Sequence, residues 1–184
     1  MTTEPFTYDL AGIATNDSRN QYPYDAEGRL CAVQDGVLPG TYYQYVYGAG
    51  GTRVAKGTLS LSSWPTACPA LSAITMTASY VLGLGGEQVS EVSISGSTST
   101  WAHTNIFAGG ALLATYDPAA NEAIFALNDW LGTKRSEYGT TGCTSNYFSL
   151  PYGNGLTPSG TCPDATEHHF TGKERDAESG LDYF

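Results

Sequence analysis

Glu167, His168 and His169, with Asp164 just upstream, are the first side chains in this sequence that invite chemistry. Two imidazoles beside two carboxylates are the raw material of a metal centre or an acid–base pair. Their adjacency argues against a shared ion. Neighbouring residues on a strand point to opposite faces, so His168 and His169 do not readily meet at one point. His103 stands in an alternating stretch and reads as a half-buried spacer. No Gly-x-Ser-x-Gly elbow offers a serine nucleophile. The pairs Gly50-Gly51, Gly85-Gly86 and Gly109-Gly110 lack the following Lys-Ser/Thr of a phosphate loop. No catalytic residue, metal ligand or cofactor is therefore assigned. A metal-dependent hydrolase centred on residues 164–169 is kept as one alternative reading.

The cysteines stand at 31, 68, 143 and 162, without a CxxC pair or zinc-finger histidine spacing. Cys143 and Cys162 lie in loop-like sequence (TTGCTSN, SGTCPDA), which suggests a disulfide and an exported protein. Cys31–Cys68 is the matching second pair. Four reduced thiols in a cytosolic chain are the alternative. Tyr42, Tyr43, Tyr45 and Tyr47 with Trp64 and Trp101 would suit a sugar-stacking platform, which makes a glycan-binding adhesin module the second alternative. Tyrosines at alternating positions of a β-shell more usually pack across strands with their hydroxyls at an edge, and that is the favoured reading.

The elements that must carry these residues announce themselves by repetition. Tyr8-Asp9-Leu10-Ala11-Gly12 returns as Tyr24-Asp25-Ala26-Glu27-Gly28-Arg29-Leu30, and in weaker form as Tyr47-Gly48-Ala49-Gly50-Gly51-Thr52-Arg53. In each copy an aromatic closes one strand, Asp and Gly (in the third copy Gly48 in place of the Asp) make the turn, and a new strand opens. Further strands are expected at 74–83, 87–94, 100–107, 111–116 and 122–128, with turns at 26–28, 49–51, 84–86 and 108–110. Residues 62–73 and 151–165 read as the longer loops, and short helical turns are expected near 129–133 and 174–179. The fold class is all-β, a run of successive antiparallel hairpins.

The totals agree. Of 184 residues, 41% are apolar and only 14% charged, with 22 Gly and 13 Tyr, a composition of short strands and tight turns rather than of disorder. A net charge of −10 excludes nucleic acid as a partner, since phosphate neutralisation needs clustered Lys and Arg. No apolar run reaches membrane-spanning length.

Together YDAEGRL, FTYDLAGIATND, the segment LNDWLGTKR (127–135) and the ending FTGKERDAESGLDYF (170–184) resemble an Rhs or YD-repeat protein, in particular its repeat-associated core region. The residues that carry the likeness are Tyr24, Asp25, Gly28 and Arg29; Asp129, Leu131, Gly132 and Arg135; and Gly172, Glu174, Arg175, Asp176, Gly180, Leu181 and Tyr183. On this resemblance residues 1–60 are YD-type repeats, 61–126 divergent hairpins and 127–184 the core signature.

The resemblance implies a sheet that spirals into a β-shell around a C-terminal, toxin-type cargo, in a secreted or cell-surface protein. Its partners would be the rest of the parent shell and that cargo. Because the signature normally runs on past Phe184, the chain is expected to be a piece of something longer. Leu181–Phe184 would then be a strand without a neighbour, prone to weak self-association. Some members cleave themselves with paired carboxylates in a repeated Asp-Pro-x-Gly motif; Asp117-Pro118 lacks the Gly and a second copy. Six of the eight bases (Arg29, Arg53, Lys134, Arg135, Lys173 and Arg175) fall inside the family-like motifs. Arg29 and Arg135 are expected over neighbouring turns, bound to carboxylates or turn carbonyls.

Overall fold

The computed structural model describes residues 6–18, 20–34 and 40–183. It is antiparallel sheet almost throughout. Strands β3 (Ala32–Gln34), β4 (Tyr42–Tyr47), β5 (Arg53–Leu59), β6 (Ile74–Leu82), β7 (Gln88–Ser95), β8 (Thr98–Ala108), β9 (Ala111–Asp117), β10 (Glu122–Asn128), β11 (Lys134–Gly139), β12 (Thr144–Phe148) and β13 (Thr157–Gly160) form one sheet whose spatial order is their order along the chain. Two small ladders stand apart from it, β1 (Thr7–Tyr8) with β2 (Ala14–Asn16), and β14 (Glu174–Arg175) with β15 (Asp182–Tyr183). Among the described residues helix is confined to 3₁₀ turns at Leu71–Ala73, Pro151–Gly153 and Phe170–Gly172.

One turn, used six times among the described residues, sets many of the hairpins. At residues 9–13, 25–29, 48–52, 83–87, 129–133 and 139–143 the first N–H donates to the fifth carbonyl and the fourth N–H to the first carbonyl. The fourth residue is always glycine, with φ between +77° and +95°. This is a type I turn closed by a left-handed residue in a G1 bulge. The register shifts beside it, between Val46 and Tyr47 and between Leu127 and Asn128, follow from the extra residue.

The short helical turns expected near 129–133 and 174–179 are replaced. The first is one of these six turns, and residues 174–175 are strand, followed by a single turn in which the Gly180 N–H reaches the Asp176 carbonyl at 2.7 Å. The stretch 151–165, read as a loop, contains β13. Its Pro158 sits at the rim of the sheet, where a residue without an N–H costs no ladder bond. Asp182 and Tyr183 pair with Arg175 and Glu174, so the expected neighbourless strand has a partner along those residues. Phe184 lies outside the described residues.

The chain divides into two compact units, residues 1–79 with 94–98, and residues 80–93 with 99–184. In the first, the tyrosines are core. Tyr22, Val33 and Tyr45 cluster with Tyr24, Leu30, Tyr43 and Tyr47, while Ala32, Tyr42 and Leu59 cluster with Leu61, Trp64 and Ile74. Their hydroxyls find partners as burial requires: Tyr22 donates to Asp17, Tyr24 to the Ala14 carbonyl and Tyr47 to the Leu30 carbonyl. In the second unit the inward face of β8–β12 is unusually polar, with Asn105, Thr115, Glu137, Ser145 and Lys134 buried beside Ile124 and Ala126.

Candidate functional site

The Asp-containing turns are built alike. Asp25 Oδ1 accepts the N–H groups of Glu27 and Arg29 at 2.9 and 3.0 Å, and Asp129 Oδ1 those of Leu131 and Thr133 at 2.9 and 3.0 Å. Asp9 does the same for Ala11 and Ile13. The outer oxygen then takes an arginine, Arg29 Nε at 2.7 Å from Asp25 Oδ2 and Arg135 Nε at 2.9 Å from Asp129 Oδ2. Each arginine thus binds the carboxylate of its own turn, and Arg29 also lies over the neighbouring 48–52 turn, where a Cβ on Gly51 would stand 3.9 Å from its guanidinium. Arg29 also meets Glu27 and the face of the Tyr47 ring, and Arg135 reaches Ser149. Burial pushes both aspartates up, but the backbone N–H bonds and the guanidinium outweigh it, and each carboxyl is held below its ordinary value.

In the second unit, two of the motif segments come together. The Lys134 N–H donates to the His169 carbonyl at 2.9 Å, and the Thr171 N–H to the Thr133 hydroxyl at 3.3 Å. Gly132 faces this junction: a Cβ there would lie 3.4 Å from the Thr171 backbone, on a φ of +83° that side chains rarely adopt. Leu131 is exposed at the tip of the turn. Gly172 (φ +69°) closes the apposed 3₁₀ turn. Beyond it Glu174 is buried and accepts the Tyr80 hydroxyl at 2.9 Å, while Arg175 pairs with Asp182 at 3.1 Å. Asp176, also buried, donates its N–H to the Leu181 carbonyl, and Gly180 (φ +69°) makes the bend that returns Tyr183 to Glu174.

Under that junction lies a charged cluster that the sequence reading missed. Lys134, with no exposed surface, places Nζ 2.7 Å from Glu137, 3.1 Å from Asp164 and 3.3 Å from the Thr166 carbonyl. The Tyr147 hydroxyl donates to Glu137 Oε2 at 2.5 Å and lies 3.2 Å from Asp164 Oδ1. His169 Nε2 stands 2.7 Å from the other Asp164 oxygen. Burial and the two carboxylates drive the Tyr147 phenol far up, so it stays protonated at neutral pH and has a proton to donate to a carboxylate. Asp164 is pushed up by burial but drawn below its usual value overall by His169 and Lys134. Both carboxylates meet Lys134 Nζ, and Asp164 also meets His169. Such a cluster is suited to fixing the segment after Cys162 against β11 and β12, not to moving protons.

The group at 164–169 is thereby divided. His169 joins Asp164, whereas His168 is buried edge-on to Phe107 with Nδ1 2.9 Å from the Thr166 hydroxyl. Burial pulls its pKa down to about 4. Glu167 turns to a third place, where its carboxylate, that of Glu91 on β7 and the imidazole of His103 on β8 lie within 4.8 Å of one another. Asp117, of the Asp-Pro pair, accepts the N–H groups of Ala119 and Ala120 as an ordinary turn residue. Tyr42 and Tyr45 are buried, and Trp64 packs on Tyr42 at 5.5 Å, so these rings face protein; Trp101 is half-exposed beside Tyr116. The structure joins Cys31 to Cys68 and Cys143 to Cys162, and no described cysteine is free. No helix among the described residues is long and apolar enough to cross a membrane.

No protein-family model matches the chain, and no curated protein matches it. Solved structures do. The chain superposes over 96% of its length on the Tc holotoxin pore of Photorhabdus luminescens, with a TM-score of 0.61 and 17% identity. It is similar to the TcdB2–TccC3–Cdc42 structure (TM-score 0.63, 17% identity) and to TcdB2–TccC3 (0.59, 16%), again over 96% of its length. It spans only 8 or 9% of those chains. At this identity the likeness establishes the fold, a stretch of sequential antiparallel sheet found within toxin complexes.

Proposed function

We propose that this chain is one segment of the wall of an Rhs/YD-repeat shell, whose work is to enclose and present a C-terminal cargo of the toxin type. The observation that carries the reading is a single sheet whose eleven strands follow chain order, matched over 96% of this chain to about a tenth or less of much longer toxin-complex chains. A meander of this kind has no centre of its own. It extends by adding hairpins at its rim, as a wall does. Residues 1–60 act as turn repeats, 61–126 as divergent hairpins and 127–184 as the core signature, with Tyr24, Asp25, Gly28, Arg29, Asp129, Gly132 and Arg135 setting the turns.

On this reading the segment is not an enzyme. Its partners are the neighbouring hairpins of the wall and the cargo inside, and two disulfides suit a protein that works outside the cell or at its surface. Limited proteolysis of the polypeptide as isolated from its source tests this. A wall protects an enclosed domain, so a protease-resistant cargo should become sensitive when the wall is opened by denaturant at concentrations that leave the cargo itself folded. A native polypeptide of no more than 19.5 kDa, with nothing enclosed, would overturn it.

A further inference from the structure

We propose that the end of the sheet formed by the β10–β11 turn and the β12–β13 loop docks on a neutral, zwitterionic lipid surface. Antiparallel pairing brings both connections out of the sheet at the same end. Both carry exposed apolar side chains at their tips. Trp130 is 91% exposed and Leu131 50%, with Leu150 at 64% and Tyr152 at 87%. Neither the Trp130 ring nor the Tyr152 ring makes a hydrogen bond or a ring contact among the described residues.

The two tips are fastened to one another. Arg135 joins them, pairing with Asp129 at 2.9 Å and reaching the Ser149 hydroxyl at 3.1 Å. Gly153 lies against Phe170, where a Cβ would stand 2.6 Å from the ring. The next residue, Thr171, donates its N–H to the Thr133 hydroxyl at 3.3 Å. On this platform Tyr152 is held at φ +64°, a conformation that is costly for a bulky side chain and persists only where the surroundings impose it. A ring kept outward in that conformation points to something outside the chain that it meets.

Charge and hydrogen bonding select the occupant. Residues 129–133 and 148–156 include a single charged side chain, Asp129, and Arg135 neutralises it. A neutral platform suits zwitterionic headgroups, whereas an anionic membrane calls for unpaired Lys or Arg and is repelled by a net charge of −10. The turn also satisfies its own backbone donors. The Asp129 N–H bonds to the Thr133 carbonyl, the Gly132 N–H to the Asp129 carbonyl, and the Leu131 and Thr133 N–H groups to Asp129 Oδ1. A sugar or a polar peptide would need such donors free, while an apolar medium penalises any that are. Trp and Tyr, each an apolar ring with one polar atom, settle at the boundary between headgroups and acyl chains.

The test is co-sedimentation of the oxidised, untagged protein with phosphatidylcholine vesicles, read together with tryptophan emission. The parent should partition onto the vesicles, and its emission should move to shorter wavelength as the Trp130 ring leaves water. Trp130→Ala should weaken partitioning about ten-fold or more. Tyr152→Gly should do so by about ten-fold while melting close to the parent, because φ +64° is a conformation that glycine favours. Loss of binding in that variant is then not loss of fold. Trp101→Phe, near the start of β8 and outside the platform, should partition as the parent does. Absence of partitioning by the parent would overturn the proposal. So would binding that appears only when phosphatidylserine is added, or partitioning unchanged in both Trp130→Ala and Tyr152→Gly. A dimer that Trp130→Ala dissolves, with no vesicle binding, would assign the platform to a second copy of the chain and overturn it equally.

Discussion

The Thr141 N–H donates to Glu122 Oε1 at 3.0 Å, and this is the bond that the Leu131 N–H makes with Asp129 Oδ1 at 2.9 Å. Both N–H groups occupy the third position of the same turn. In the 129–133 turn the carboxylate belongs to the turn itself. In the 139–143 turn the first residue is Gly139, and the carboxylate arrives from the neighbouring strand, filling the space in which a side chain at 139 would sit. Thr141 adds its hydroxyl to the same oxygen at 2.5 Å. The turn is conserved in its bonds within this one molecule while the residue that satisfies it changes place.

Removal of that carboxylate strands two donors at a site where Glu122 is 5% exposed. Glu122→Ala should cost about 1–3 kcal/mol in urea unfolding. The 83–87 turn offers the converse, because a Cβ on Gly83 would lie 2.5 Å from Glu87 Oε1. Gly83→Asp alone should be neutral or destabilising. Combined with Glu87→Thr, it should gain about 1 kcal/mol by completing an Asp turn. A double variant no better than the sum of its parts would refute the equivalence.

Asp25 and Asp129 make an acid limb of known sign. Their folded values lie below the ordinary 3.8, so the unfolded chain binds the proton first. Their stabilisation is complete above 3.8 and is lost as pH falls through the lower folded values. Asp129→Asn keeps an acceptor oxygen but no charge, and it should flatten the fall in stability measured between about pH 5 and pH 2. Arg135→Ala should cost less than about 1 kcal/mol, because the guanidinium is 42% exposed.

Glu137 is 2% exposed and takes both Lys134 Nζ and the Tyr147 hydroxyl. Glu137→Ala leaves a buried ammonium with only Asp164 to answer it, and should cost about 3–5 kcal/mol. Lys134→Met with Glu137→Leu should recover much of that loss. Equilibrium unfolding of the two variants measures the difference.

Reduction should raise the intact mass by four hydrogens, two for each disulfide. In the chain-entropy account, opening Cys143–Cys162 (separation 19) costs about 3 kcal/mol and opening Cys31–Cys68 (separation 37) about 4 kcal/mol. A mass unchanged by reductant, in protein from an oxidising host, would contradict the pairing.

Much of the fold could be read from spacing. Alternation and glycine pairs located β6 to β10 to within two residues or so, because each strand there is bounded by a turn whose bonds are local. The turn at 139–143 escaped because its acid, Glu122, lies well upstream and reaches it only through sheet pairing. Its one visible signal was glycine at the first and fourth positions, shared with 48–52 and 83–87. β13 was hidden by Pro158 and Gly160, residues that an edge strand tolerates and an inner one does not. Alternation of the tyrosines of 42–47 favoured cross-strand packing over a sugar platform, and two-sided burial of β4 makes most of them core. The Lys134–Glu137–Tyr147–Asp164 cluster had no linear signature, since its members meet only when the segment after Cys162 folds back over β11 and β12.

The most direct test of the wall is an image of the native polypeptide that contains this sequence, by single-particle cryo-electron microscopy. The account predicts that β3 to β13 continue at both rims into further hairpins of a closed shell, with density for an enclosed domain inside. A free-standing sheet of these eleven strands, solvated at both rims and enclosing nothing, would contradict it.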